Sequence, residues 1–329
     1  MGWKGAARSF GSVVRQMERD SARNRRELEK RQAQYNKMQL LEQAAYDVKV
    51  YENYIERIIS LHKDCGEIFN WEQIKENDPP IRPIMQNLCE ETAKKKLASY
   101  KPSLIDKIFK FTEKKIKKLN EIIVTAKLED DNVYKKELQE YDQKLSDYND
   151  LVTLATKISS GELEYYRKAI EEMNPFAELS DVGSNVSLNF DSTKRVTASI
   201  SIHDENVIPK QSKSLLKSGK LSVKDMPIGR YNELYQDYVC SSSLRVGREI
   251  FAILPVAEII VNAVGNVLNQ TTGRIEEMPL LSVLLVRETM DRINFSLIDP
   301  SDCMKNFKCN MGFKKSQGMS PVEIIKTNG

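Results

Sequence analysis

The sequence has few residues of the kinds that most often carry chemistry. Its 329 residues include only two histidines and five cysteines, and the cysteines form no Cys-x-x-Cys pair of the kind that metal and redox sites use. General-base activation of a serine or cysteine usually needs a histidine. His62 and His203 belong to no such pattern and are interpreted as surface side chains. The sequence therefore predicts no metal and no cofactor, and it favours a protein that is not an enzyme.

Long apolar segments are also missing. A membrane-spanning helix needs about 18 or more apolar residues in succession, and the nearly apolar runs of this chain, such as Leu280–Val286, are much shorter. The first residues include Trp3, Lys4 and Arg8 but not the apolar core of a secretory signal. The scattered positions of the cysteines are typical of reduced thiols. These three features together predict a cytoplasmic protein without a membrane span.

Charge of one sign does not dominate the whole chain. Lysine and arginine number 50 against 47 aspartate and glutamate, a formal net charge of +3. A balance this close to neutral gives no whole-chain argument for a nucleic-acid or membrane partner. Only local clusters of charge can therefore indicate a partner.

Two long stretches show the three- to four-residue apolar spacing of helices. The first runs from Phe10 to His62, and the second from Pro102 to Ala155, each about 80 Å long if fully helical. Between them, the prolines of residues 78–83 predict a turn-around region. The clearest periodicity is a four-three repeat near the end of the second stretch, formed by Tyr134, Leu138, Tyr141, Leu145, Tyr148, Val152 and Ala155.

Local charge predicts how the two helices pair. Residues 1–34 are mainly basic and residues 127–164 mainly acidic, whereas residues 42–67 are mainly acidic and residues 94–118 mainly basic. An antiparallel hairpin places opposite signs against each other in both cases, and a parallel one does not. We therefore expect an antiparallel coiled-coil hairpin over residues 1–178.

The apolar period changes from 3.6 to 2 after Asn174-Pro175 and a linker near residues 180–184. Alternating residues predict a β-hairpin over 186–202, and two nearly apolar runs, 256–264 and 280–286, predict central strands. An amphipathic helix that ends at Pro255 is predicted between the β-hairpin and the first of these apolar runs. The fold class is predicted as α+β, with the helical arm at 1–178 and an α+β domain of four to five strands at 184–329.

One charged cluster lacks an evident neutralising partner. No acidic residue occurs from Asn206 to Lys224, within the segment from Asp204 to Gly229 that is interpreted as a loop. This segment also contains several serines. Lysines and serines of such a segment can contact phosphates; the alternative is a solvated surface loop. The candidate binding residues are Lys210, Lys213, Lys217, Lys220 and Lys224.

Two function hypotheses follow. The first is a non-enzymatic binding or assembly protein, in which the coiled-coil arm gives reach or homo-oligomerisation. In this hypothesis the α+β domain docks another protein subunit, or nucleic acid through the lysine-rich loop. The second is a metal-dependent hydrolase or nuclease of unfamiliar type. Its candidate residues are the carboxylates of the C-terminal domain, namely Asp204, Glu205, Glu258, Glu276, Glu277, Glu288 and Asp299.

Overall fold

In a computed structural model, the two apolar periods of the sequence form long helices and a mixed β-sheet, which confirms the α+β class. The structure describes residues 3–102, 111–177, 179, 185–202, 207–269 and 272–326. Side chains are described within these ranges from residue 28 onward, except at 268 and 269.

The chain divides into two compact units. The sheet unit consists of Met1–Ile68 and Met173–Gly329, and the helical unit consists of Phe69–Glu172. The N-terminal helix thus belongs with the sheet that follows about 120 residues later in the chain. The antiparallel pairing of the two long helices, and the division into an arm at 1–178 and a domain at 184–329, stay predictions.

Helix α1, Trp3–Ile59, packs on the sheet unit through its C-terminal half. One face of this half is covered at three- to four-residue spacing. Its buried residues are Ala44, Val48 and Ile58, and its half-buried residues are Leu41, Tyr51 and Ile55. The side chains of residues 28–40 are all exposed. Two lengths of one continuous helix therefore have different environments.

The main sheet has six strands, against the four to five that the sequence predicts. Its order is β1-β2-β5-β6-β7-β8, with β2 parallel to β5 and the other neighbours antiparallel. The strands are β1 Asn185–Ser192, β2 Arg195–Ile202, β5 Glu258–Asn269, β6 Arg274–Val286, β7 Lys308–Lys314 and β8 Gly318–Ser320. Strands β3, Gln211–Leu215, and β4, Leu221–Asp225, form a separate antiparallel pair.

Helix α6, Ile228–Ile253, connects β2 to β5 through the crossover that parallel strands require, and packs on the sheet. Its buried side chains include Leu234, Tyr238 and Ile250. On β5 and β6, Asn262 and Ser282 are buried partners whose side chains bond at 2.7 Å. The backbone N–H of Ile325 also donates to the Ser282 hydroxyl, so the C-terminal residues pack against this polar pair. Short helices α7, Arg287–Met290, and α8, Pro300–Cys303, complete the unit.

The helical unit is built on α4, Thr112–Ser159, with α2, Trp71–Glu76, and α3, Leu88–Ser99, running antiparallel to it; α5, Leu163–Met173, follows. The start of the second predicted helix, just after Pro102, lies outside the described residues. The Tyr148 hydroxyl donates to the carbonyl of Asn77 at 2.8 Å. Asp130 accepts the backbone N–H groups of Cys89 and Glu90, which caps α3 and lowers the pKa of the Asp130 carboxyl. The buried Asp130 therefore has a structural role in the helical unit.

The four-three repeat of α4 is its most covered face. All seven of its residues are half-buried or buried, and most residues between them are exposed. Pro80, Pro83 and Tyr141 line one open cavity of about 290 Å³, so the proline-containing segment lies beside this part of the stripe. Among the described residues, no helix has the length and apolar composition that crossing a membrane requires.

The segment 61–66, which follows α1, is fixed to α6 by its backbone. Arg248 donates to the carbonyl oxygens of Lys63 and Asp64 at 2.9 and 3.2 Å, and also to that of His62. Glu249 accepts the backbone N–H of Gly66 at 2.9 Å, and a Cβ at position 66 would lie 2.8 Å from its second carboxylate oxygen. Glu249 also pairs with Arg245 at 2.7 Å, and both side chains are buried. We call this arrangement of Arg248, Glu249 and segment 61–66 the clamp.

We expect Glu249→Ala to destabilise the sheet unit by about 3–5 kcal/mol, because it leaves the buried Arg245 without its carboxylate. Urea denaturation followed by circular dichroism measures the change. Glu233→Ala on the same helix is the matched control, since its ion pair with Lys315 is largely exposed and contributes at most about 1 kcal/mol. Equal losses in the two variants would contradict a structural role for the clamp.

Candidate functional site

The predicted lysine loop is a β-hairpin rather than a loop. Successive residues of β3 and β4 pair in antiparallel register, from Gln211 with Asp225 to Leu215 with Leu221. Leu216 and Lys220 extend the ladder by one bond, and the N–H of Gly219 donates to the carbonyl of Leu216. Gly219 has φ of +78°, the left-handed conformation that closes a three-residue hairpin turn. The interpretation of residues 204–229 as one loop is therefore wrong over 211–225. We call residues 210–225 the lysine hairpin.

The lysine hairpin lies along α1. A Cβ at Gly219, at its tip, would be 3.2 Å from the side chain of Leu41. Near its base, the Tyr54 hydroxyl donates to the carbonyl of Val207 at 2.7 Å. Val207 and Ile208 are buried, so the chain leading into the hairpin is anchored in the core. The tip therefore points along α1 toward the N-terminal, basic half of that helix.

The fold separates the five predicted lysines. Because side chains alternate across a strand, Lys213 lies on one face of the hairpin and Lys224 on the other, and the turn pairing places Lys220 on the face of Lys224. Lys210 precedes β3, and Lys217 lies in the turn. All five are exposed. Within the described part of the chain, Lys213, Lys217, Lys220 and Lys224 have no ion-pair partner.

Each face of the hairpin has its own chemistry. Lys220 and Lys224 share their face with three serines, Ser212, Ser214 and Ser222, whose hydroxyls can donate to phosphate oxygens. On the opposite face, Lys213 lies with Gln211, Asp225 and the apolar residues Leu215, Leu221 and Val223. This second face and α1 line an open groove of about 580 Å³.

The sequence contained a signal for the hairpin that the loop interpretation missed. Leu215, Leu221 and Val223 recur at even spacing on either side of Lys217-Ser218-Gly219. That arrangement is typical of a short hairpin with one apolar face. The run of lysines and serines hid it, because β-propensity is low for lysine and the apolar residues are few.

His62 is buried, whereas the sequence predicts a surface side chain. It is in a 3₁₀ turn, Leu61–Lys63, only 1% exposed. The Ser241 hydroxyl accepts the His62 backbone N–H at 3.0 Å and bonds the ring Nδ1 at 2.9 Å. The ring Nε2 has no partner among the described residues.

The His62–Ser241 pair is structural rather than nucleophilic. Ser241 is fully buried, so a substrate cannot reach its hydroxyl. Burial, together with the neighbouring charges of Lys63 and Arg248, lowers the pKa of His62 to about 4. Asp299 and Asp64 act weakly in the opposite direction. The imidazole therefore stays neutral at physiological pH and supports the clamp. His203 lies outside the described residues.

Three carboxylates of the hydrolase hypothesis have other partners in the structure. Glu258 pairs with Arg195 at 2.7 Å, Glu276 accepts from the Thr272 hydroxyl, and Asp299 caps helix α8. Asp204 and Glu205 lie outside the described residues. Within the described ranges, no three His, Cys, Asp or Glu side chains are grouped as a metal site requires. The geometry thus brings no support to that hypothesis.

A raised pKa marks one further carboxyl, Asp237 on α6. Burial, and then the negative charge of Asp299, raise the pKa of Asp237 to about 6. Perturbed carboxyls are common at catalytic sites, but a pair of carboxyls without a nucleophile or a metal-ligand group gives no defined reaction. Asp237 is therefore not assigned a catalytic role.

We expect His62 to make the free energy of unfolding depend on pH. The pKa of His62 is lower in the folded state than in the unfolded state, so its stability contribution falls as pH decreases from about 6.5 to about 4. The loss reaches about 3 kcal/mol. Urea titrations at several pH values should show the advantage of wild type over His62→Asn shrinking across this window. Asp237 acts in the opposite sense, but it is present in both proteins and cancels. Parallel curves would contradict the assignment.

Comparison with family models, curated proteins and solved structures gives no significant match to the sequence or the fold. The function is therefore inferred from the geometry of the described residues. The lysine hairpin on α1 is the arrangement with the most definite binding chemistry among the described residues.

Proposed function

We propose that the protein is a non-enzymatic binding or assembly protein whose sheet unit binds the phosphate backbone of a nucleic acid on the lysine hairpin. The observation that carries this proposal is the set of exposed lysines on one hydrogen-bonded hairpin held against α1. A β-hairpin fixes the spacing of its side chains, so less conformational entropy is lost on binding than from a mobile loop.

Charge supports this reading. Residues 207–224 contain five lysines and no acid, and Asp225 lies at the base of the hairpin. Phosphate binding by lysine gains free energy through release of counterions. Lysines without ion-pair partners can make this contact without first breaking an internal pair.

The orientation of the hairpin extends the basic surface. Its tip lies at Leu41, and the basic stretch of α1 begins near Arg31, about 15 Å further along the helix at 1.5 Å per residue. A long polyanion bound on the hairpin would therefore also reach the basic stretch of α1. The paired acidic segment that the sequence analysis assigned to this stretch remains a prediction.

The proposed role in assembly concerns the exposed apolar residues of α1. Leu28, Tyr35 and Met38 are exposed on α1 at the three- to seven-residue spacing of a coiled-coil seam. Such a seam fits another protein subunit or a second copy of this chain. Both partners are proposed alongside nucleic acid.

The triple variant Lys217→Glu, Lys220→Glu, Lys224→Glu tests the nucleic-acid contact. These lysines lie at the tip and on the serine face, away from the groove. We expect it to abolish binding of labelled nucleic acid at about 50 mM salt, and each lysine that contacts phosphate to contribute about one unit to the salt dependence. Fluorescence anisotropy across a salt series measures both quantities.

The control changes the same number of lysines elsewhere. Lys117, Lys135 and Lys136 are exposed on α4, and their triple substitution by glutamate gives the same net charge. If both triple variants weaken binding equally, the contact is not specific to the hairpin. If wild type fails to bind at low salt, the nucleic-acid proposal is wrong and a protein partner is left.

A further inference from the structure

The groove between α1 and the lysine hairpin combines aromatic and basic side chains. Its lining from α1 includes Tyr51 and Tyr54, and its lining from the hairpin side includes Lys210 and Lys213. Residues about 160 positions apart in the sequence therefore face one open space.

The two tyrosines are held in place. They are three residues apart on α1, so their side chains are neighbours on one helix face. The Tyr54 hydroxyl donates to the carbonyl of Val207, which fixes the direction of that ring. Burial raises the pKa of both phenols, so they stay neutral and do not repel an anion. Tyr54 remains 37% exposed and accessible from the groove.

The charges of the groove favour an anionic ligand. Lys210 and Lys213 are exposed on its hairpin side, about 10 Å apart along the chain at 3.3 Å per residue. Asp225 is the acid in the lining, and its carboxylate accepts from the Gln211 amide. Two cations therefore face one anion that already has a polar partner.

We propose that this groove binds single-stranded nucleic acid, with unpaired bases against Tyr51 and Tyr54 and phosphates on Lys210 and Lys213. The inference rests on the proposed function, because it uses the same hairpin, and it specifies the form of the ligand.

Single strands fit this site better than duplexes for a physical reason. Bases in a duplex are stacked on each other, so their faces are not available to a protein side chain. An unpaired base can stack on a tyrosine, and a basic groove with aromatic side chains is the usual way to bind such strands without sequence preference. A duplex would reach the lysines but not the rings.

Substitution of the tyrosines tests the inference. We expect Tyr51→Leu and Tyr54→Leu each to weaken binding of a thymidine strand of about 20 nucleotides by about five- to 150-fold. Binding of a duplex of the same length, measured by the same anisotropy assay, should not change. Wild type should bind the single strand more tightly than the duplex.

The matched control is Tyr46→Leu. Tyr46 is on the same helix and is 63% exposed, but it does not line the groove. Its substitution should leave both affinities unchanged. Thermal unfolding of each variant separates loss of binding from loss of structure.

Tyr54→Phe guards against a merely structural effect. It keeps the ring and removes the bond to Val207, so single-strand binding should persist if the ring stacks on a base. Loss of binding at an unchanged melting temperature would overturn the stacking role. A strand that contains 2-aminopurine gives an independent signal, because stacking on tyrosine should quench its fluorescence in wild type and less in Tyr51→Leu.

Asp225→Asn provides a change in the opposite direction. Removing the carboxylate from the groove should strengthen single-strand binding, because a phosphate no longer meets a like charge. Weaker binding by this variant at unchanged stability would count against a phosphate in the groove.

The outcomes separate the two proposals. If the lysine triple variant loses binding and the tyrosine variants keep their single-strand affinity, the proposed function stands and the groove inference is wrong. If wild type binds duplex as tightly as single strand, the groove inference is also wrong. If wild type binds neither, both proposals fail.

Discussion

The clamp between α6 and segment 61–66 is the interaction on which the arrangement of the sheet unit depends. Arg248 and Glu249 both bind backbone groups of this segment, so they fix the path of the chain as it leaves α1. Their partners lie more than 180 residues earlier in the sequence. Glu249 is buried and also pairs with Arg245, so releasing this segment removes one of the partners of a buried carboxylate. The end of α1 is thereby fixed to the sheet unit.

The candidate site inherits its geometry from this attachment. The lysine hairpin has few buried residues of its own, and a two-stranded hairpin is marginally stable by itself. Packing against Leu41 and the bond from Tyr54 to Val207 connect it to α1. The groove exists only because the helix and the hairpin are held side by side. Its tyrosines and lysines would otherwise be unrelated exposed residues.

Several polar residues of this protein stabilise the fold through contacts that the neighbouring sequence does not predict. Asp130 interrupts an apolar stripe and caps a neighbouring helix. His62 supports the clamp through Ser241, and its neutral form is the one that fits the buried site. The same constraint of burial explains all these roles, because a buried polar group must find a partner or lose its charge. The exposed lysines of the hairpin are under no such constraint.

The sequence by itself determined the elements whose information is local. The helical stripes, the β1–β2 hairpin, helix α6 and the central strands follow from apolar periods of 3.6 and 2, which backbone geometry imposes on each element. The lysine cluster was also visible as composition. Tertiary structure alone decided that α1 lies beside the lysine hairpin and that His62 is buried. Those features depend on contacts between distant segments, which no local period records.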